Sequence, residues 1–290
     1  MAAATAEPKA KRRRLAWLRP PQGDPEGRMS LYDHLRELRY RITISVIAIT
    51  IAALSCVFFY SELVAFMMWP FESAKAAVLA VRPDAHLQMT NIGVLAPFTL
   101  GVIACVVTGI VASSPVWLYQ IWAFVAPGLV KKERKYALGF LGAAIPLFLS
   151  GCVLAYVVWP KGIEVLLKFT PPEMDVMNLL EMSEFLGMQI KIVLVFGLSF
   201  VLPVVLVGLN LAGIVRGFQL GRARRFVIFG SVVFAAIATP STDPFTMLAL
   251  AVPISVLFLI AELVCRILDK RKGITEEAAS EFSIDLDDGK

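Results

Sequence analysis

Six long apolar runs constrain this chain more than any other feature of its sequence. Each run is close to the length that an α-helix needs to cross about 30 Å of hydrocarbon. Hydrophobic residues make up 58% of the 290 residues and the mean hydropathy is +0.72, so the composition excludes an ordinary soluble domain. The sequence predicts an all-α integral membrane protein with six transmembrane helices, at about 42–60, 97–118, 137–159, 187–209, 226–238 and 246–265.

The fifth apolar run is short for a membrane span. At 1.5 Å per residue, residues 226–238 rise only about 20 Å. The link that follows, Thr239–Pro244, has the proline, serine and aspartate content of a tight turn. A short hairpin beside longer spans implies a locally thinned bilayer or a recess. Prolines in or near other spans should bend those helices, which favours a cupped bundle. These prolines are Pro97, Pro115, Pro146, Pro203 and Pro253.

The distribution of basic residues predicts the side of the membrane on which each loop lies. Lys and Arg crowd the N-terminal segment through Arg41, the loops 119–136 and 210–225, and the segment from Arg266 onward. The other five of the 28 are Lys75, Arg82, Lys161, Lys168 and Lys191. Because cytoplasmic loops carry the excess of Lys and Arg, both termini are expected in the cytoplasm. The basic tails suit anionic lipid headgroups, and we predict no nucleic-acid binding.

The chain divides into one membrane domain between two tails. Residues 1–28 are rich in Ala, Pro and charge, and we expect a disordered basic tail there. The run Lys11–Arg14 superficially resembles an export signal with paired arginines, but no apolar core follows it. Residues 29–268 are expected to form the six-helix membrane domain. Residues 269–290 are expected to form a charged, disordered C-terminal tail.

Two long segments on the outer side are too apolar for plain loops. The first, about 61–81, is aromatic around Pro70 and predicts a broken amphipathic helix with Trp69 as an interfacial anchor. The second, about 160–186, mixes prolines with apolar residues. We expect both segments to pack as amphipathic caps over the outer ends of the spans.

Residues that carry most enzyme chemistry are absent from the sequence or poorly placed. There is no P-loop, nucleophile–base pair, carboxylate dyad or zinc motif. The four cysteines lie in or beside apolar runs, and two histidines exclude a histidine-rich metal site. We therefore predict no enzyme, no cofactor and no metal. Lys191 and Glu262 are ionisable residues inside spans, and we interpret them as snorkelling or locally paired, Glu262 with Arg266.

A short amphipathic stretch, Ser30–Arg41, leads into the first span. Leucines at i, i+4 and i+7 from Leu31 share one helical face, which we interpret as packing. His34, Glu37 and Arg41 share another face. One interpretation is an ordinary i,i+4 ion pair on a solvated helix. The other is a carboxylate fixed at the membrane surface that receives a cationic partner, and the spacing alone leaves both open.

A second acidic residue, Glu133, stands within the basic run Lys131–Lys135. It follows Tyr119–Leu129, which is too aromatic for a solvated loop and is expected in the interface or against another span. This segment is either an aromatic belt with a neutralising glutamate or part of a binding site. In the second case, Glu37 and Glu133 would hold a basic peptide at the inner surface, because bidentate arginine–carboxylate bonds need fixed carboxylates.

Five pieces of the sequence, in order over residues 30–268, resemble the TatC family, the multispanning receptor subunit of the twin-arginine protein translocase. They are His34-Leu-x-Glu37-Leu-Arg39-x-Arg41; Pro70; Tyr119-Gln120-x-Trp122-Ala123-Phe124-x-Ala126-Pro127-Gly128-Leu129 with Glu133-Arg134; Phe196-Gly197-x-x-Phe200-x-x-Pro203; and Thr239-Pro240 with Asp243. The first and third pieces together are highly specific.

The resemblance implies both a fold and a role. The fold is six helices in a cupped shape, with short fifth and sixth helices and both termini cytoplasmic. The role is binding Arg-Arg signal peptides of folded proteins at the cytoplasmic face of a bacterial-type inner membrane. Transport would be driven by the proton-motive force, with no nucleotide site in this subunit. The implied partners are TatA-type and TatB-type single-span subunits, membrane lipid and further copies of the chain.

The resemblance also assigns roles to single residues. Glu37, Glu133 and Phe124 match positions that bind the signal peptide, and Arg39 matches a position needed for the arrangement of that site. The resemblance assigns structural or partner-contact roles to Pro70, Gln120, Pro127, Pro203 and Asp243.

One position departs from the family pattern, since Val201 stands where the family often has Glu or Gln. Gln189 and Lys191 on the same span are possible replacements, although they lie two to three turns away. The alternative function is a secondary transporter of a small solute, and a membrane-embedded enzyme is the third. A coupled transporter would favour a central acidic site and internal repeats, and the sequence has neither.

Overall fold

The structure is a computed structural model that describes residues 31–125, 133–168, 178–211, 213–239 and 244–273, without the side chains of residues 31, 125 and 133–138. Its helices are α1 (Leu31–Cys56), α2 (Tyr60–Val81), α3 (Ala96–Ala112), α4 (Ser114–Val125), α5 (Glu133–Lys168), α6 (Met182–Leu211), α7 (Gly217–Ala238) and α8 (Pro244–Arg271). Two short strands are β1 (Leu87–Thr90) and β2 (Asn178–Glu181). The fold is therefore helical, as predicted, apart from one small sheet.

Four helical stretches in the described ranges are long and apolar enough to cross a membrane: Tyr32–Val81, Gly139–Lys168, Met182–Leu211 and Pro244–Arg271. Helices α3 and α4 make a fifth if they count as one span, bent by 59° at Ser113. Helix α7, where we predicted the fifth span, is not among them. The six-span count thus stays a prediction, while the membrane-protein class is confirmed.

Several helices are longer than the apolar runs that predicted them. Helix α8 has 28 residues and α7 has 22, so neither is the short helix that the resemblance implied. Both include charged residues with good helix propensity, which come before the apolar run in α7 and after it in α8. Helix α2 passes through the buried Pro70 without a break, so the predicted broken cap is a continuous helix.

The core lies where α2, α3, α5, α6 and α8 meet. Its buried residues include Phe71, Leu100, Trp159, Phe196 and Leu250. A second cluster joins α4, α5 and α6. It includes Trp117, Leu118, Trp122, Phe140 and Phe148. Small residues let helices approach closely, as at Gly151 of α5, where a Cβ would lie 2.7 Å from the carbonyl oxygen of Phe196 on α6.

The two strands form a parallel sheet that the sequence did not predict. Leu87 pairs with Asn178 and Thr90 with Glu181. Four residues per strand are too few to show a reliable period of two. Strand β2 lies within the second outer cap that we expected over 160–186, and residues 169–177 of that cap are outside the described residues. Met89 and Leu180 pack against the main core, so the sheet connects the stretches before α3 and before α6 to that core.

Candidate functional site

The charged face of α1 is buried in the protein at Glu37, whereas Leu35 of the leucine face is exposed. The side chain of Glu37 is only 8% exposed. Leu35 is 56% exposed, so our interpretation of the leucine face as packing is wrong at this position. Helix α4 packs against the other face instead. An outward-facing leucine costs little free energy beside a membrane, because lipid tails are as apolar as leucine.

An ion pair within α1 connects to α4. The Nε of Arg41 donates a hydrogen bond to Oε1 of Glu37 at 2.9 Å, and Nη2 donates to the same oxygen. The Nη1 of Arg41 also donates to Oε1 of Gln120, at 3.4 Å. The predicted i,i+4 pair is therefore present, but it is partly buried at a helix contact instead of solvated.

The second carboxylate oxygen of Glu37 is the unusual atom of this site. Oε2 is buried and accepts no hydrogen bond from the part of the chain that the structure describes. A carboxylate has about four acceptor positions, and both donors from Arg41 use the other oxygen. Burial of an unpaired acceptor is costly, so this oxygen is held ready for a further donor.

An aromatic pair lies one turn away from the ion pair on both helices. The ring of His34 on α1 stacks on the ring of Phe124 on α4, with centroids 4.5 Å apart and planes 13° apart. The site thus combines Glu37, Arg41 and His34 with Phe124 and Gln120. Gln120, assigned only a structural or partner-contact role from the sequence, is a member of the hydrogen-bonded group.

The other predicted site residues are placed only in part. Arg39 is exposed on α1. Glu133 begins α5, but its side chain is not described, so its approach to Glu37 stays a prediction. Pro127 and Asp243 lie outside the described residues.

Helix α6 carries Pro203 and two positions that bear on the family's intramembrane polar site. Pro203 is buried within the helix, and Val201 is buried in the second core cluster. Gln189 is 2% exposed, its Oε1 has no partner among the described residues, and it lines a cavity of about 300 Å³ between α2, α3, α5 and α6. Among the described residues, Gln189 Oε1 is thus one of three buried, unpaired polar atoms of α6, with Ser183 Oγ and Asn210 Oδ1.

Sequence reasoning missed most of a polar cluster that joins α6, α7 and α8. Glu262 accepts from Nε and Nη2 of Arg224 at 2.9 and 2.8 Å, and it forms the predicted pair with Arg266 at 2.9 Å. Asp269 accepts from Nδ2 of Asn210 at 2.9 Å and from the backbone N–H of Gly217 at 2.6 Å. The sequence feature that could have indicated this cluster is a pair of acidic residues, Glu262 and Asp269, near basic ones. Their partners on α6 and α7 are remote in sequence, so the sequence alone did not identify them.

The two buried amides of α6 should respond oppositely to removal. Gln189→Leu is expected to leave the free energy of unfolding unchanged or raise it by up to about 2 kcal/mol, because Oε1 has no partner to lose. Asn210→Leu should lower it by about 2–3 kcal/mol, because the carbonyl of Val215 and the carboxylate of Asp269 each lose a donor. Denaturant unfolding of both variants in one detergent measures the difference, and a larger loss for Gln189→Leu would contradict these contacts.

Comparisons with known proteins agree on one family. Residues 33–253 match the family described as Sec-independent protein translocase protein (TatC). The chain is 37% identical to the TatC of Frankia casuarinae over 267 residues, covering 91% of this chain and 72% of that protein. It is 37% identical to the TatC of Xylanimonas cellulosilytica over 231 residues, covering 80% and 81%.

A solved structure supports the same assignment. The crystal structure of the twin arginine translocase receptor TatC in DDM superposes with a TM-score of 0.66 at 29% identity. The similarity covers 80% of this chain and 99% of that one. The fold, the sequence and the length of the match agree, and the chain belongs to the TatC family of Sec-independent protein translocases.

Proposed function

We propose that this chain is the receptor subunit of a twin-arginine translocase and that Glu37 binds the paired arginines of signal peptides on folded proteins. The observation that carries the proposal is the Glu37 carboxylate, which is fixed through Oε1 and has no partner at Oε2 within the described ranges. A guanidinium forms its strongest hydrogen bonds with a fixed carboxylate that has free acceptor positions. Membership of the TatC family supports this role.

Binding would begin at the unpaired Oε2 of Glu37 and end with the arriving guanidinium on both carboxylate oxygens in place of Arg41. Arg41 holds the carboxylate while the site is empty. When an arginine of the signal peptide takes over, Arg41 keeps a partner in Gln120, whose Oε1 is already 3.4 Å from Nη1. This second acceptor lowers the cost of the exchange, because a partly buried donor without any partner would be penalised. The stack of His34 and Phe124 offers a flat surface for a guanidinium or an apolar side chain.

The remaining site residues enter the proposal through the family resemblance. Glu133, at the start of α5, would supply the second carboxylate, so that two fixed acids receive two arginines. Pro127 would shape the connection between α4 and α5. Arg39, exposed on α1, would help to arrange the site, and Asp243 would contact a partner helix.

Orientation and partners follow from the same role. We propose that the start of α1 and the end of α8 are cytoplasmic, because the basic residues concentrate there. The proton-motive force would drive transport, with TatA-type and TatB-type single-span subunits and further copies of this chain as partners. The exposed apolar faces of the helices suit both lipid and single-span helices.

The alternative role, a secondary transporter of a small solute, gains little from the structure. The cavity of about 300 Å³ is lined mainly by apolar side chains, with Gln189, Thr108 and Tyr156 as its polar members. A coupled transporter would favour an ionisable group at such a site. Export of a folded reporter in cells lacking their own TatC would separate the two functions.

The test of the proposed site is the loss of twin-arginine peptide binding in Glu37→Gln. Glutamine keeps an acceptor for Arg41 but removes the charge, and a charge-assisted hydrogen bond contributes about 1.5–3 kcal/mol. We therefore expect about 10- to 100-fold weaker binding of a fluorescent twin-arginine peptide to the purified protein, by anisotropy. The matched control is Glu72→Gln, an exposed glutamate of α2, which should bind as the unmodified protein does. Equal affinity in Glu37→Gln would exclude Glu37 from the site.

A further inference from the structure

The basic N-terminal segment contains consecutive arginines, as does the signal peptide proposed as the ligand of Glu37. Arg12, Arg13 and Arg14 are consecutive, and four apolar residues, Leu15–Leu18, follow them directly. Residues 9–19 hold six Lys and Arg and no acidic residue. The segment lacks the long apolar core of an export signal, which is why it fails as one. A recognition site that reads paired arginines nevertheless meets this pair first, because it is attached to the same chain.

We propose that the Arg12–Arg14 segment of this chain binds the Glu37 site and competes there with signal peptides. The inference rests on the proposed function, since it names a second ligand for the same carboxylate. The segment is a tethered competitor, and an arriving signal peptide must displace it. Glu37 thereby has a guanidinium partner in both states of the receptor.

The tether is long enough for this contact. Sixteen residues, 15–30, separate Arg14 from the first helical residue, Leu31. A chain of sixteen residues can span up to about 50 Å when extended. Glu37 is six residues into α1, about 9 Å along the helix axis. The arginines therefore reach Glu37 without strain, at an effective concentration of roughly millimolar order.

The contact of the Arg12–Arg14 segment with Glu37 has to be reversible, so that a signal peptide can displace it. The sequence after the arginines favours such a weak contact. The apolar stretch Leu15–Leu18 is interrupted by Arg19-Pro20-Pro21. Four residues cannot enter the hydrocarbon as a helix, because a span needs about 20. The tethered segment thus offers its arginines but no membrane-inserted portion. A signal peptide has both arginines and a membrane-inserted portion, so it displaces the segment from Glu37 when it is present. Peptides with weak arginine motifs do not displace it.

A purely electrostatic role for the segment makes a different prediction. Anionic lipid headgroups attract Lys as well as Arg, and so would the acidic residues of this chain between 276 and 288. Glu37, by contrast, is fixed at a helix contact and favours the planar, bidentate guanidinium over an ammonium. The triple variant Arg12→Lys, Arg13→Lys, Arg14→Lys keeps the positive charge but removes the planar guanidinium groups. It therefore separates binding to Glu37 from general charge attraction.

The first experiment measures twin-arginine peptide affinity for the full chain in a non-ionic detergent and in vesicles containing phosphatidylglycerol. The triple Lys variant should bind the peptide about 3- to 10-fold more tightly than the unmodified protein in both, because the competitor is lost. The control Arg19→Lys, Arg28→Lys should show no change. Unchanged affinity in the triple Lys variant, with a gain only when the three arginines become alanine, would assign the segment to charge attraction and overturn the proposal.

A second measurement decides the inference without any added peptide. A photo-crosslinking residue at Leu15 should crosslink to α1 or α4 near His34 and Phe124 in the free protein. The yield should fall at least about threefold in Glu37→Gln and in the triple Lys variant. If no variant binds the twin-arginine peptide but this crosslink depends on Glu37, the proposed function fails while the contact stands. A crosslink that is absent, or independent of Glu37, would refute the contact itself.

Discussion

Gly208→Ala is expected to destabilise the protein and weaken twin-arginine peptide binding together. A Cβ at Gly208 of α6 would lie 2.3 Å from Cζ3 of Trp122 on α4. Trp122 cannot retreat easily, because it is buried and stacks on Phe140 with ring centroids 4.4 Å apart. Helix α4 must therefore shift, and it carries Gln120 of the site. Overpacking costs about 1–3 kcal/mol of unfolding free energy, and we expect several-fold weaker peptide binding.

The matched control for that variant lies on the same helix. Gly187→Ala adds the same methyl group, but nothing lies within 4 Å of the new Cβ. Replacing glycine by alanine inside a helix should then raise stability by up to about 1 kcal/mol. Thermal unfolding and peptide anisotropy on both variants give the comparison. Equal stability and equal affinity of the two would show that α4 does not depend on its contact with α6.

Asp269→Ala should lower the free energy of unfolding by about 2–4 kcal/mol. The carboxylate accepts from the backbone N–H of Gly217 and from Nδ2 of Asn210, and it is only 4% exposed. Its removal leaves a buried N–H at the start of α7 without a partner, and an unsatisfied buried donor costs about 1–3 kcal/mol. The loss should loosen the junction of α6, α7 and α8.

The measurement for Asp269→Ala is denaturant unfolding in a fixed detergent, with Asp84→Ala as the control. Asp84 is exposed between α2 and β1, so its removal should change stability by less than about 0.5 kcal/mol. Hydrogen exchange at Gly217 adds a local readout, because that amide should lose protection when its acceptor is gone. Retained protection with a normal unfolding midpoint would contradict the role given to Asp269.

The sequence predicted the helices well because length and hydropathy are local properties. It did not predict where they end, since α8 continues through basic residues up to Arg271 that have good helix propensity. It could not predict the bend at Ser113 either. There the span that we predicted over 97–118 becomes two helices. Bends depend on what the neighbouring helices leave room for, and that information is spread over the whole chain.

The candidate site shows the same division between local and remote information. The pair of Glu37 with Arg41 follows from their spacing on one helix. The burial of that pair does not, because a leucine face beside lipid has no reason to turn inward, and Leu35 faces outward. The contact of Arg41 with Gln120 joins positions far apart in sequence, so only the packing of α1 against α4 discloses it.

The small sheet has a consequence for how the protein is made. Strand β1 pairs with β2 only after α3, α4 and α5 have been synthesised, because those helices lie between the two strands. At roughly 5–20 residues per second, about 90 residues of synthesis separate the strands by on the order of 5–20 s. During that time β2, the partner of β1, has not yet been synthesised. The two strands can therefore pair only after α3, α4 and α5 have returned the chain to the side of the membrane where β1 lies. The sheet thus forms only when those helices have inserted correctly.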